Sequence, residues 1–144
     1  MRAAVLVGPG DIRVEERPGR SPGDEEVAVT VGFVGICGSD QARFAGGGAS
    51  GAPVVFGHEV SGRIAAVGSG VQGLLPGQAV AVAPLLNCGT CLACCGRNDH
   101  LCPEQRIFGT QVDGGRKNGF ASLRRAFAQA SQARRHSRHV HRIG

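Results

Sequence analysis

Four cysteines crowd one short stretch of the chain in a pattern that suits a metal ion. Cys88, Cys91, Cys94 and Cys102 form Cys-x2-Cys-x2-Cys-x7-Cys within fifteen residues. Tetrahedral zinc takes four thiolates at about 2.3 Å, and two-residue gaps let one tight loop present successive thiolates to the same ion. The pattern therefore predicts a structural zinc lobe over residues 88–102. Because four thiolates leave no open position, such a site holds a loop together and does no chemistry.

The residues alone leave two alternatives to this ligand set. Cys102 is followed by Pro103, as at the end of a ferredoxin run, but ferredoxin runs have three residues before the last cysteine and this chain has seven. Cys95 could replace Cys94 as the third ligand, although the regular gaps favour Cys94. We therefore expect zinc rather than an iron–sulfur cluster, with Cys95 as a spare thiol.

A second set of potential ligands lies earlier in the chain. Cys37 follows a strand-like run, and His58 and Glu59 follow the next one. A lone cysteine of this kind usually packs in a core, and a lone histidine usually packs or caps. Together, however, a thiol, an imidazole and a carboxylate make a mixed three-ligand set that leaves one position for water or substrate, as in catalytic zinc sites.

The elements that must position these side chains are predicted to be short strands. The 24 glycines and 7 prolines favour strands and turns over a helical bundle. Alternating and β-branched runs predict strands at residues 2–7, 12–16, 27–36, 54–56, 60–67 and 78–83. Ser39 and Asp40 can cap a short helix that runs to about Phe44. Strands at this spacing, with few helices, predict a mainly β fold of the irregular barrel type.

The charge divides the chain into two unequal parts. Residues 1–115 hold all 11 acidic residues and 8 of the 16 basic ones, a net charge of −3, whereas residues 116–144 hold the other 8 basic residues and no acid, a net charge of +8. We expect Ser122 to begin a helix with Leu123, Phe127 and Ala130 on one face, and disorder beyond Ser131. The chain has no long apolar run, and its six cysteines suit a reducing compartment, so we expect a cytoplasmic protein with no membrane span.

Together these motifs resemble the zinc-dependent medium-chain alcohol dehydrogenases. The resemblance rests on GICGSD at residues 35–40, GHE at 57–59, the four spaced cysteines, VGSGV at 67–71, PGQAV at 76–80 and DGG at 113–115. It covers residues 1–115, and within the family it is strongest to the polyol branch of sorbitol and galactitol-phosphate dehydrogenases. PLL at residues 84–86 points the same way.

The resemblance implies a GroES-like catalytic domain with two zinc ions. Cys37, His58 and Glu59 would bind the catalytic zinc, a Lewis acid that lowers the pKa of a substrate hydroxyl. Ser39 would hydrogen-bond that hydroxyl and pass its proton outward, while hydride moves to NAD(P). The implied reaction is the oxidation of a secondary alcohol or polyol to a ketone.

The chain also departs from the family. Many members carry a histidine where this chain has Ala42, and the neighbouring Arg43 either meets a substrate phosphate or is a solvated surface residue. Asp40 either orients a zinc ligand or only caps the helix. The family's nicotinamide-binding Rossmann domain has no counterpart here, so we expect an incomplete domain with no cofactor site, inactive alone. The resemblance also implies a strand after Gly115 that helps to close the barrel, and residues 119–122 are a candidate for its displaced remnant. The basic tail leads us to hypothesise a frameshift or truncation near residues 115–122.

Two readings compete with an enzyme fragment. One is a zinc-stabilised module that binds nucleic acid through the basic tail. The acidic character of residues 1–115 and the absence of Trp and Tyr for base stacking argue against it. The other is a metal-binding or subunit-pairing module that complements a longer relative. The sequence does not fix the oligomeric state, and a homo-oligomer is one option.

Overall fold

A computed structural model describes residues 1–46, 53–115, 120–124 and 128–130. Strands make up most of the regular structure, which confirms the prediction of a mainly β chain. The strands are β1 (Arg2–Gly8), β2 (Asp11–Glu16), β3 (Glu26–Val34), β4 (Val54–Val55), β5 (Val60–Val67), β6 (Ala79–Val82), β7 (Leu85–Leu86), β8 (Arg106–Ile107), β9 (Phe120–Arg124) and β10 (Ala128–Ala130). The helices are α1 (Gly38–Phe44) and the single turn α2 (Leu92–Cys95), with a 3-10 turn at Asp99–Leu101.

The larger sheet has five antiparallel strands in the order β10-β6-β5-β3-β9. Its inner face is built from β-branched side chains, which pack well on a pleated surface. In β6 the exposed and buried residues alternate strictly, as a strand with one face on a core requires. The buried cluster under this sheet consists of Val27, Val29, Val60, Ile64, Val80, Val82 and Phe108.

A second sheet has three strands in the order β2-β1-β4, and β7 pairs with β8 in a two-stranded sheet. Val5 and Val55 are fully buried where β1 meets β4. The β7–β8 pair joins the two ends of the cysteine-rich segment, because Leu86 lies just before it and Arg106 just after it. The segment therefore leaves and re-enters the fold at one place.

The junction of β3 and β5 is the part of the fold that positions the mixed ligand set. The strands are antiparallel, so the end of β3 meets the start of β5, with Val34 opposite Val60. One residue further, the Gly35 N–H donates to the Glu59 carbonyl at 2.8 Å. The residues just after β3 and those just before β5 are thereby held side by side, although they are far apart in sequence.

The structure corrects two predicted elements. The strand expected over residues 27–36 ends at Val34, because Gly35 leaves the ladder to bond Glu59. The helix expected to begin at Ser122 is wrong, since Ser122 lies within β9, which pairs with β3. That pairing satisfies the backbone donors and acceptors along the outer edge of β3, a long-range gain that the local pattern could not reveal.

Part of the tail prediction lies outside the described residues. Residues 125–127 and 131–144 hold most of the charge on which the nucleic-acid reading depends, and the disorder expected beyond Ser131 also falls there. None of the helices in the described residues has the length and apolar character needed to cross a membrane.

Candidate functional site

The structure brings Cys37, His58 and Glu59 together. One potential ligand atom from each lies within 4.8 Å of the others. Cys37 and His58 are half-buried and Glu59 is exposed, so the cluster sits at the edge of the fold with one side open. A thiol, an imidazole and a carboxylate at this separation fit a tetrahedral ion with a fourth position left for another ligand.

Asp40 stands behind this cluster and contacts two of its residues. Its side chain is only 1% exposed. Oδ2 accepts the backbone N–H of Cys37 at 3.1 Å, the N-terminal capping bond of α1, and Oδ1 lies 3.3 Å from His58 Nδ1. The side chain thus caps α1 and also lies against the His58 ring, where a ligand-orienting role would place it.

Gly35 leaves the space in which the Glu59 side chain lies. A Cβ at Gly35 would lie 2.1 Å from Glu59 Oε2 and 3.0 Å from Glu59 Cβ, so no larger residue fits without moving the carboxylate. Gly35, two residues before Cys37, thus leaves room for the Glu59 side chain and also marks the end of β3.

The backbone before His58 is held by a loop from the far end of the domain. Gly57 has a φ of +93°, a backbone conformation that residues other than glycine rarely adopt. The Asp113 carboxylate accepts the N–H of Val55 at 2.9 Å, and Gly114 donates to the Val55 carbonyl at 2.7 Å. A Cβ at Gly114 would lie 2.2 Å from the Gly57 carbonyl, so this loop and the turn before His58 pack backbone against backbone.

Ser39 and Arg43 lie one turn apart on α1. Ser39 is exposed, two residues after Cys37, and Ala42 is also exposed. Arg43 is half-buried, and its guanidinium donates to the hydroxyl of Thr110 across the domain. The alternative that Arg43 is simply a solvated surface residue therefore does not describe its position. Sequence reasoning missed Thr110, because no local pattern links it to an arginine 67 residues earlier.

The four spaced cysteines also converge. One ligand atom from each of Cys88, Cys91, Cys94 and Cys102 lies within 4.8 Å of the others. Cys91 Sγ is 3.5 Å from Cys94 Sγ, and Cys88 Sγ is 3.9 Å from Cys94 Sγ. Gly89, with a φ of +78°, makes the tight turn after the first cysteine. Four sulfurs in this arrangement fit a closed tetrahedral metal site.

In the four-cysteine cluster without metal, the pKa values of two thiols are shifted in opposite directions. Backbone N–H groups of Thr90 and Cys91 donate to the sulfur of Cys88 and lower the pKa of its thiol to about 6. Desolvation raises the pKa of Cys94 to about 12. Neutral solution therefore favours the thiolate at Cys88 and the thiol at Cys94.

Cys95 is separate from the cluster. Its thiol is exposed and lies 3.5 Å from the Thr90 carbonyl, whereas the neighbouring Cys94 points to the other three sulfurs. The one-turn helix α2 begins at Leu92, with Cys91 as its N-terminal cap, and gives successive cysteines different directions. The geometry thus selects Cys94 over Cys95 as the member of the four-cysteine group.

Comparison with known protein families gives one match over most of the chain. Residues 23–137 match the family described as the alcohol dehydrogenase GroES-like domain. The chain is 45% identical over 105 residues to galactitol 1-phosphate 5-dehydrogenase of Escherichia coli (strain K12), covering 67% of this chain and 30% of that protein. It is 40% identical over 119 residues to sorbitol dehydrogenase of Bacillus subtilis (strain 168), covering 79% of this chain and 34% of that protein.

The fold has a counterpart among solved structures. The crystal structure of galactitol-1-phosphate dehydrogenase from Escherichia coli superposes with a TM-score of 0.83 at 38% identity, covering 90% of this chain and 38% of that one. The chain thus spans about a third of the length of the relatives that it matches.

Proposed function

The chain belongs to the alcohol dehydrogenase GroES-like domain family, and from this premise we propose that its two ligand clusters are zinc sites and that the mixed cluster is the reaction centre. The resemblance noted in the sequence is confirmed, as is the GroES-like fold. The relatives are dehydrogenases that act on polyols or a polyol phosphate, so we propose as substrate a secondary alcohol of this kind, free or phosphorylated.

The observation that carries the proposal is the convergence of Cys37, His58 and Glu59. Because Asp40 lies against His58 Nδ1, the other ring nitrogen, Nε2, is the one available to a metal ion. A zinc ion held by these three ligands would keep one coordination position open. It would supply a Lewis acid for an alcohol oxygen that enters that position. Gly35 and Asp40 then serve to hold the ligands in place.

Ser39 is proposed to move the proton. Its hydroxyl is exposed in the first turn of α1, two residues after Cys37. A hydroxyl both accepts and donates, so it can take the proton of the substrate O–H and release its own to solvent. NAD(P)⁺ would supply the acceptor for the hydride of the carbinol carbon, so the products of the whole reaction would be a ketone, NAD(P)H and a proton.

The four-cysteine cluster is proposed to hold a second zinc ion with a purely structural role. All four ligands are thiols, and the cluster lies in the chain between β7 and β8 and shares no residue with the mixed cluster. Thiolate ligands must stay reduced, which favours the cytoplasm as the compartment.

Cobalt substitution tests the reaction centre directly. Co²⁺ bound by cysteine and histidine absorbs in the visible range, and its spectrum changes when a further ligand enters an open position. We expect galactitol to shift the spectrum of the chain loaded with Co²⁺, and the shift to disappear in Cys37→Ser but remain in Cys95→Ser. A chain whose cobalt spectrum is insensitive both to galactitol and to galactitol 1-phosphate would contradict the proposed function.

A further inference from the structure

Arg43 carries a charge that no carboxylate of the described residues neutralises. Three other arginines of the described chain form ion pairs with nearby carboxylates: Arg13 with Asp11, Arg17 with Glu15 and Arg20 with Glu26. Arg43 is half-buried, and within the residues that the structure describes the only hydrogen-bond partner of its side chain is the neutral hydroxyl of Thr110. It pairs with no carboxylate among those residues.

This arrangement leaves most of the guanidinium's binding capacity unused. An arginine side chain has five N–H donors in a planar fork. In the described residues, only the Nη1 group of Arg43 donates a hydrogen bond, to Thr110. Withdrawing a cation from water without a counter-charge is costly, so a half-buried guanidinium of this kind favours an incoming anion. Thr110 is 9% exposed, and its contact with Arg43 limits the movement of the guanidinium.

Arg43 and its partner Thr110 lie on two segments that are linked to the proposed reaction centre. Arg43 follows Ser39 by one helical turn, so the two side chains share a face of α1. Thr110 follows Gly109, where a Cβ would lie 2.4 Å from the Gly57 carbonyl and 3.0 Å from the His58 backbone nitrogen. Arg43 therefore connects the helix that carries Ser39 to the loop that packs against His58.

We propose that Arg43 is a specificity-determining residue that binds the phosphoryl group of a polyol-phosphate substrate. This inference rests on the proposed function and deepens it, because it distinguishes phosphorylated polyols from free ones. A guanidinium matches a phosphate with two parallel N–H···O bonds, and such charge-assisted bonds are about twice as strong as neutral ones. Thr110 acts as a positioning residue, since it would hold the fork without touching the substrate.

Binding of matched ligands to the full chain loaded with Co²⁺ tests the inference. Galactitol 1-phosphate and galactitol differ only in the phosphoryl group, and calorimetry gives both affinities. We expect the phosphate ester to bind at least about tenfold more tightly, the size of one charge-assisted contact. Arg43→Gln should reduce that preference to about onefold. Arg43→Lys, a point charge without the fork, should keep only part of it.

Arg63→Gln is the matched control. Arg63 is exposed on β5, donates to the Gly77 carbonyl at 2.9 Å, and its loss changes the net charge by the same amount. The preference for the ester should survive in this variant. Equal affinities in the unmodified chain, or equal preferences in the two glutamine variants, would overturn the inference. If Arg43→Gln fails to take up both Co²⁺ ions, Arg43→Lys decides: an undiminished preference overturns the inference.

Two further outcomes separate this inference from the proposed function. If galactitol shifts the cobalt spectrum but the ester has no preference, only the role of Arg43 fails. If the ester binds through Arg43 without any spectral shift, the anion site stands and the reaction centre fails. Inorganic phosphate is the third probe: if it binds as tightly as the ester, the site is a general anion site and the substrate role of Arg43 is overturned.

Discussion

Asp40 Oδ1 lies 3.3 Å from His58 Nδ1, and the same carboxylate accepts the backbone N–H of Cys37. One buried acid therefore contacts both the start of α1 and the histidine that precedes β5. Ligands that reach a metal from separate segments need partners behind them to fix their orientation, and such partners affect metal affinity strongly. Asp40 is not one of the three potential ligands, so replacing it tests how the ligands are oriented without removing any of them.

Replacing Asp40 tests this role. We expect Asp40→Asn to weaken metal binding at Cys37, His58 and Glu59 by about 10- to 100-fold, because one amide oxygen cannot replace two carboxylate oxygens. The four-cysteine cluster should be unaffected. Chelator competition with Co²⁺ measures both affinities, and Asp11→Asn, an exposed acid on β2, is the control. Equal affinities in the two variants would show that Asp40 only caps the helix.

Gly35 provides a steric test of the Glu59 position. Gly35→Ala places a Cβ 2.1 Å from Glu59 Oε2, so the carboxylate must leave the position that it holds in the mixed cluster. We expect the mixed cluster to lose its metal while the four-cysteine cluster retains one. Gly8→Ala is the matched control, because a Cβ there meets nothing within 4 Å. Retention of both metals in Gly35→Ala, measured by elemental analysis after dialysis, would argue against Glu59 as a ligand.

Neighbouring cysteines distinguish the ligands of the lobe. Cys94→Ser should remove one metal ion per chain and lower the melting temperature, because it breaks a closed site whose metal stabilises the fold. Cys95→Ser should retain both ions and the melting temperature, since its thiol is exposed and outside the group. If Cys95→Ser lost the ion instead, the lobe would use the other thiol as its third ligand.

The metal-free lobe should show unequal thiol reactivity. The pKa of Cys88 is lowered to about 6 and that of Cys94 is raised to about 12. Alkylation by iodoacetamide requires the thiolate, so labelling of Cys88 should rise as the pH passes about 6 and level off above it, while Cys94 stays unlabelled near neutrality. Mass spectrometry of the Cys95→Ser chain after metal removal reports each site, and simultaneous labelling of both would contradict the prediction.

Local patterns were enough for the parts of the fold that local chemistry determines. The β-branched run at residues 60–67 predicted β5 with the bounds that the structure has, and the polar turn after Cys37 predicted α1. The cysteine gaps predicted the lobe, because ligands close in sequence converge with little help from the rest of the fold. The clustering of Cys37 with His58 and Glu59 needed the resemblance as well, since neither segment alone indicates the other.

Contacts made at long range were the ones that sequence reasoning missed. Ser122 has helix-capping chemistry, yet it lies in β9, because β3 offers an edge of unpaired backbone groups. The bond from Val55 to Asp113 and the contact of Arg43 with Thr110 join segments more than fifty residues apart. No local pattern encodes such pairs, since they depend on how the sheets pack.

The metal content of the purified chain tests the central claim most directly. After metal exchange and dialysis, elemental analysis should find two zinc ions per chain, one for each ligand cluster. Cys37→Ser and Cys102→Ser should each retain one ion, and the double variant none. A chain that binds one ion and keeps it in Cys37→Ser would show that the mixed cluster is not a metal site, and would contradict the proposed reaction centre.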